Sequence, residues 1–166
     1  MSKAVDLEVV VEDTHEGKDE LRLWLKLLAT TKLISQEIRR RLRSEFGATL
    51  PQFDLLAQLY REPAGLRLGE LSKRTMVTNG NITGLVERLE ADGLVIRETP
   101  GGDRRVTVAR LTEMGRTSFA EMAEAHEGWI RDMMADVDPG TINRMLSHTD
   151  LLRQSARTHL SGPEDE

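Results

Sequence analysis

Two short helical segments followed at once by two alternating β-type segments constrain the fold of this chain more than any other feature. The pattern predicts one helix from about residue 68 to 74 and a second from Asn79 to Asp92, which Gly93 ends. Residues 94–99 and 106–111 then alternate in a β-branched pattern around a glycine-rich link, which is typical of a β-hairpin. This order predicts a winged helix-turn-helix.

The rest of the chain is predicted to be helical. Only 4% of residues are aromatic, so a large core must be built from Leu, Ile, Val, Met and Ala. Apolar periodicity predicts long helices over about 18–45 and 113–135 and a last helix after Pro139. Thr49 and Gln52 have the spacing of a capping box at the start of a further helix. The predicted fold class is therefore mainly α with a small β-hairpin wing.

The net charge of −5 is unevenly distributed along the sequence. Residues 21–116 carry 17 basic and 11 acidic side chains, a net charge of +6, whereas residues 1–20 and 117–166 are both acidic. Because contact with phosphates depends on the local density of Arg and Lys, the acidic total does not exclude DNA as a partner.

Several classes of protein are excluded or disfavoured by composition. The chain has no cysteine, which excludes disulfides, thiolate metal sites and cysteine nucleophiles. No apolar run approaches the roughly 20 residues that cross a bilayer, so we expect a cytoplasmic protein with no membrane partner. The four histidines lack the helical spacing of metal ligands, and no metal or cofactor is expected.

The helix from Asn79 to Asp92 carries the first functional prediction. Ile82, Leu85, Val86 and Leu89 are spaced to face the core, which leaves two glycines on the opposite face. Each glycine costs about 1 kcal/mol in a helix relative to Ala, so something is expected to approach the backbone closely. A major groove about 12 Å wide admits such a helix. The DNA-contact candidates are Thr78, Asn79, Gly80, Asn81, Thr83 and Arg88; the alternative is a capped surface helix with a solvated arginine.

The predicted hairpin tip supports the same function. Gly101 and Gly102 allow a flexible turn, after which Arg104 and Arg105 are predicted to enter a narrow, electronegative minor groove. Asp103 is interpreted as an orienting partner. An exposed basic tip without a role in nucleic-acid binding is the alternative.

The stretch LGELSKRTMVTNGNITGLVERLEADGLVIRETPGGDRRVTVARLTEMGR resembles the DNA-binding core of the MarR family of bacterial transcription regulators. The resemblance implies an obligate homodimer that binds double-stranded DNA, with repression as the default. It assigns dimerisation to a helical region (18–48 and 113–160) and DNA binding to a winged helix-turn-helix (49–112). By their composition, residues 1–17 are interpreted as an acidic N-terminal tail or strap and residues 161–166 as a disordered tail. Arg67 replaces the usual Thr or Ser cap, which predicts a less well fixed first turn in the helix that follows.

The resemblance also implies a small, acidic, often aromatic effector, and the sequence is similar to members that control aromatic-acid breakdown, some of which respond to hydroxycinnamoyl-CoA thioesters. The basic run Arg39–Arg41 with Arg43 is open to three interpretations: it meets such a ligand's phosphates, it meets the DNA backbone, or it is solvated. Both tryptophans also fit a core or dimer-seam role. Candidates for the ligand site are Trp24, Arg39, Phe53, Asp54, Met122, His126 and Trp129.

Two other functions compete with that of a DNA-binding regulator. An enzyme is disfavoured because neither a GK[ST] phosphate loop nor a G-x-S-x-G turn is present. A winged helix that binds proteins without sequence-specific DNA contact is the stronger rival. Salt discriminates the two, because DNA binding through phosphates weakens log-linearly as salt rises.

Overall fold

The structure is a computed structural model that describes residues 18–75, 79–99 and 107–160. Seven-tenths or more of these residues are helical, and the predicted mainly α fold with a small β wing is confirmed. The tails 1–17 and 161–166 lie outside the described residues. In chain order the elements are α1 (Asp19–Phe46), α2 (Leu50–Arg61), β1 (Leu66–Arg67), α3 (Leu68–Thr75), α4 (Asn79–Ala91), β2 (Val95–Glu98), β3 (Val108–Leu111), α5 (Glu113–Met133) and α6 (Pro139–Leu160).

The turn between α1 and α2 forms as the sequence predicts. Gly47 ends α1 with a φ of 63°, a left-handed conformation that glycine adopts without strain. The capping box at the start of α2 is confirmed: the Thr49 amide donates to Gln52 Oε1 at 2.8 Å, and the Gln52 amide donates to Thr49 Oγ1 at 3.4 Å. Two of the amides that begin α2 are thereby satisfied within the turn.

The wing contains three strands, one more than the predicted hairpin. The strand order is β1-β3-β2 and both pairings are antiparallel, with Leu66 opposite Ala109 and Val95 opposite Leu111. β1 was missed because two residues are too short to show an alternation. The first turn of α3, predicted to be less well fixed because Arg67 replaces a capping residue, is held by a backbone bond instead. The amide of Leu68 donates to the carbonyl of Thr107 at 3.2 Å.

A compact joint connects the end of α4, the wing and the start of α5. The Thr112 hydroxyl donates to the carbonyl of Gly93 at 2.7 Å and accepts from the amide of Gly115 at 2.9 Å. A Cβ at position 115 would lie 1.9 Å from the carbonyl oxygen of Leu94, so only glycine fits this approach. The end of α4 and the beginning of α5 are therefore fixed by the same threonine.

By residue contacts, the chain divides after Glu127. In the unit before this division, α2, α3, α4 and the sheet enclose a core of aliphatic side chains, each of which contributes about 1.5–3 kcal/mol by leaving water. In the unit that begins at Gly128, α6 has no buried side chain. The least exposed core residues are Leu42, Leu55, Leu56, Leu59, Leu71, Ile82, Val86, Leu89, Val95 and Ala109.

Candidate nucleic-acid interface

α4 is two-sided, with one buried and one exposed face. Ile82, Val86 and Leu89 are at most 1% exposed, as the periodicity predicts. Leu85, predicted to face the core with them, is only half-buried, because it lies at the edge of the apolar face. The opposite face is open to solvent and consists of Asn81, Thr83, Gly84, Glu87, Arg88 and Ala91.

Gly84 lies in the middle of the exposed face. A Cβ added to it would meet no atom within 4 Å, so packing within the chain does not require glycine at this position. Glycine is unfavourable in a helix interior by about 1 kcal/mol relative to Ala. The residue therefore lowers helix stability without a compensating contact in the described residues, as expected where an external molecule approaches the backbone.

The exposed polar residues of α4 form a stripe along the helix. Asn81, Gly84 and Arg88 are spaced by three and four residues, so they share a face and span about 10 Å along the axis. Asn offers one donor and one acceptor to an adenine edge, and Arg can bind guanine or phosphate. In the part of the chain that the structure describes, Arg88 forms no salt bridge, so its charge is available at the surface.

The remaining DNA-contact candidates are only partly covered by the structure. Asn79 and Gly80 form the first residues of α4, where helix backbone amides point towards any bound anion. Thr78, Arg104 and Arg105 lie outside the described residues. The structure therefore places Asn81 and Arg88 in one exposed row of α4 and Thr83 at the far edge of the exposed side, and it does not test the predicted wing contacts.

Arg97 connects α4 to the wing, and sequence reasoning missed it. Its side chain donates to Glu90 from Nε at 2.7 Å, and Arg97 Nη1 donates to Glu87 at 3.3 Å. The hydrogen bond to Arg97 lowers the pKa of Glu90, and the same bond raises the pKa of Arg97. The sequence signal for this ion pair is an acidic residue near the end of the predicted helix, followed by an arginine seven positions later.

The base of the wing carries arginines whose charges are already compensated. Arg97 is paired with two carboxylates of α4, and Arg110 of β3 is paired with Glu98 of β2. Since neither guanidinium offers an uncompensated charge, these residues stabilise the wing more than they attract phosphate. Arg67 of β1 is exposed at the other edge of the sheet, and the sequence predicts Arg104 and Arg105 at the tip of the hairpin.

Four of the seven ligand-site candidates come together beside α2. The rings of Phe53 and His126 lie 4.9 Å apart, and Phe53 also packs against Phe119 at 5.4 Å. Burial raises the pKa of Asp54, while the charges of His126 and Arg39 act in the opposite direction. Burial lowers the pKa of His126, partly offset by the charge of Asp54. The cluster thus combines aromatic surface with charges of both signs.

The remaining candidates are Trp24, Met122 and Trp129. Trp24 is 57% exposed and is 15 residues from Arg39 on the same helix, which corresponds to about 22 Å. Met122 is buried and lines a small cavity of about 70 Å³ with Leu56 and Leu89. Trp129 is buried and lies beyond the division at Glu127. Within one chain, Trp24 and Arg39 therefore cannot contact the same small ligand.

The described residues contain no helix whose length and hydropathy would let it span a bilayer. Across residues 18–75, 79–99 and 107–160, no group of three or more His, Asp or Glu side chains is placed to hold a metal ion. The expectation of no metal concerns the whole chain and stays a prediction.

Comparison with known proteins gives a consistent result. A family model described as MarR family matches residues 46–106, which include α2, the helix pair and most of the wing. Among curated proteins, the transcriptional activatory protein BadR of Rhodopseudomonas palustris is 30% identical over 120 residues. This similarity covers 70% of the present chain and 68% of BadR.

Solved structures extend the similarity over nearly the whole chain. A MarR family transcriptional regulator from Silicibacter pomeroyi is 33% identical, with a TM-score of 0.70, covering 89% of this chain and 99% of that one. A MarR family transcriptional regulator from Streptomyces coelicolor, crystallised in complex with DNA, is 25% identical with a TM-score of 0.75. The latter match covers 92% of this chain and 94% of that one.

Proposed function

The chain belongs to the MarR family of DNA-binding transcriptional regulators, and we propose that it acts as a homodimeric repressor that a small acidic aromatic ligand releases from its operator. Like its relatives, it is a transcriptional regulator and not an enzyme. The single observation that carries the proposal is the exposed face of α4, where Gly84 leaves the backbone open between Asn81 and Arg88. We assign the major groove to this face and the minor groove to Arg104 and Arg105.

The homodimer is supported by apolar surface that the single chain leaves open. On α6, Leu146 and Leu151 are 62% and 64% exposed, and the whole helix has no buried side chain. A helix of 22 residues with exposed leucines is expected to be covered by a partner. We propose that residues 18–48 and 113–160 pair with the same regions of a second copy, and that the operator shares the resulting two-fold symmetry.

The effector is supported by the cluster around Phe53. The tilted rings of Phe53 and His126, 4.9 Å apart, provide aromatic side chains against which a ligand ring can pack, and Arg39 offers a positive charge for a carboxylate. The ligand lowers DNA affinity only if it binds the DNA-free conformation more tightly than the DNA-bound one. We propose an aromatic acid or its CoA thioester of the hydroxycinnamoyl type, and hence control of aromatic catabolism in the cytoplasm.

The direction of regulation requires its own measurement. Repression follows from the family resemblance, whereas the relative from Rhodopseudomonas palustris is named as an activatory protein. A reporter placed behind the selected operator is expected to rise when the regulator is deleted and when the effector is added. A reporter that falls on deletion would make the protein an activator without affecting the assignment of DNA binding.

The central experiment is a selection of bound sequences from random double-stranded DNA, repeated with a panel of aromatic acids and their CoA thioesters. We expect a pseudo-palindromic sequence with half-site centres about one helical turn apart, and a solution mass of two subunits. Log affinity should fall linearly with log salt because counterions are released. No enriched sequence, together with the mass of one subunit, would favour the alternative of a protein-interaction module.

A further inference from the structure

A cavity of about 470 Å³ lies between the last turns of α1 and the beginning of α2. Arg39, Arg40 and Arg43 line one side of it, and the other side is formed by apolar atoms of Ala48, Leu50 and Pro51. The volume is within the range of about 300–1,000 Å³ found for small-molecule sites. The cavity is therefore large enough for an organic anion and carries positive charge on one wall.

The three arginines differ in how far their charges are compensated. Arg40 donates to Glu37 from Nε at 2.8 Å and from Nη2 at 2.6 Å, and the paired arginines lower the pKa of Glu37 to about 2. Within the described residues, Arg39 and Arg43 form no salt bridge. Asp54 attracts Arg39 and Glu45 attracts Arg40 only at longer range. Two guanidinium charges on the cavity wall thus remain uncompensated.

The start of α2 contributes shape more than hydrogen-bond donors. The amides of Thr49 and Gln52 already bind within the capping box, and Pro51 has no amide hydrogen. An anion in the cavity would therefore be held by arginine side chains, while Ala48 and Leu50 contact the uncharged part of the molecule.

We infer that this cavity binds the phosphate or diphosphate group of a small organic molecule. Two uncompensated guanidiniums match the double negative charge of a phosphate monoester, whereas a carboxylate would balance only one. A concave, partly apolar site suits a small molecule better than a duplex, because the DNA backbone presents a convex row of phosphates. Binding itself does not depend on the proposed function, but the identification of this molecule with the effector does.

The test is titration calorimetry of the full chain with inorganic pyrophosphate and with coenzyme A. We expect both to bind, and coenzyme A more tightly because it adds apolar contact. Arg43→Gln should weaken both by about 10-fold or more, since a hydrogen bond to a charged group is lost. Arg43→Lys keeps the charge and should lose less. Arg61→Gln removes the same charge from the far end of α2 and should change neither affinity.

Three results would overturn the inference. The first is no binding of either probe to the wild-type chain, and the second is an equal loss in Arg61→Gln, which would indicate unspecific attraction. The third is weaker DNA binding with a smaller salt slope in Arg43→Gln while probe affinity is unchanged, which would assign the arginines to the DNA backbone. DNA binding of the wild type is also measured without either probe. A failure of the proposed function is thereby distinguished from a failure of this inference about the cavity.

Discussion

Arg97 of β2 binds Glu90 of α4 through both its side chain and its backbone: Nε donates to the carboxylate at 2.7 Å, and the backbone amide donates to the same carboxylate at 3.3 Å. The wing and the helix that carries the proposed DNA contacts are therefore joined through Arg97, with Glu90 as its nearer partner and Glu87 as a second one. The bond to Glu90 contributes to their relative orientation, and it can be removed without touching either proposed contact surface.

Replacing Glu90 and Arg97 by Gln, singly and together, should reveal a coupling of about 1 kcal/mol or less in the free energy of unfolding, because both side chains are about one-third exposed. We expect the coupling to shrink in 1 M salt. Urea denaturation of the four proteins measures it. DNA affinity should fall in each single variant; affinity that stays at the wild-type value would show that the wing is oriented by other contacts.

Gly84→Ala should have opposite effects on stability and on DNA binding. The added methyl meets no atom of the chain and replaces a poor helix former, so the free energy of unfolding should rise by about 0.5–1 kcal/mol. If a duplex approaches the backbone there, the same methyl weakens binding. Thermal denaturation and a DNA titration measure the two effects.

The matched control is Gly69→Ala, which adds a methyl to another exposed helical glycine with nothing within 4 Å. It should leave DNA affinity close to that of the wild type. Tighter or unchanged DNA binding by Gly84→Ala would contradict the placement of a duplex against α4.

Gly115→Ala should destabilise the protein by about 1–3 kcal/mol, the usual cost of overpacking. The new Cβ would be 1.9 Å from the carbonyl oxygen of Leu94, and a backbone atom cannot move aside as the end of a side chain does. Chemical denaturation measures the loss. A change of less than about 0.5 kcal/mol would mean that α5 begins further from the wing than described.

Asn81→Ala and Arg105→Ala should affect DNA binding in different ways. Loss of the Asn81 amide removes a base contact, so preference should relax at one position per half-site. Loss of Arg105 should weaken binding to all operator sequences, with little change in preference. Repeating the DNA selection with each variant separates the two. If both variants kept the affinity and the base preference of the wild type, DNA would be excluded as the partner.

His126 should make stability depend on pH. Because burial lowers its pKa in the folded chain, the unfolded chain takes up a proton first as the pH falls through about 6.5, and the free energy of unfolding decreases. The His126→Gln variant should lack this pH-dependent part of the free energy of unfolding. Comparing the two proteins between pH 7.5 and 5.5 isolates it, since the other titrating groups are shared. A constant difference across that range would contradict a lowered pKa.

Local sequence signals predicted the elements well. The capping box of Thr49 and Gln52, the helix end at Gly47 and the burial of Ile82, Val86 and Leu89 all depend on residues within one or two turns of one another. Such short-range preferences are visible in a single sequence.

Contacts between distant residues were not predicted. β1 is defined by its pairing with β3, some 40 residues later, and the bond from Glu90 to Arg97 crosses the turn at Gly93. Likewise, the sequence left the role of Arg39 and Arg43 open, because the cavity exists only once α1 turns at Gly47 and α2 packs beside it. The separation of Trp24 from Arg39 along α1 also shows that residue type alone does not place two side chains in one site.

The pairing of β1 with β3 has a consequence for synthesis. Leu66 lies opposite Ala109, so β3, which pairs with β1 and packs against α2, leaves the ribosome only after α3, α4 and β2 have emerged. At about 5–20 residues per second, α2 waits several seconds for it. During that interval α2, whose Leu55, Leu56 and Leu59 are buried in the finished protein, lacks one of its packing partners, and chaperones have their best opportunity to bind it.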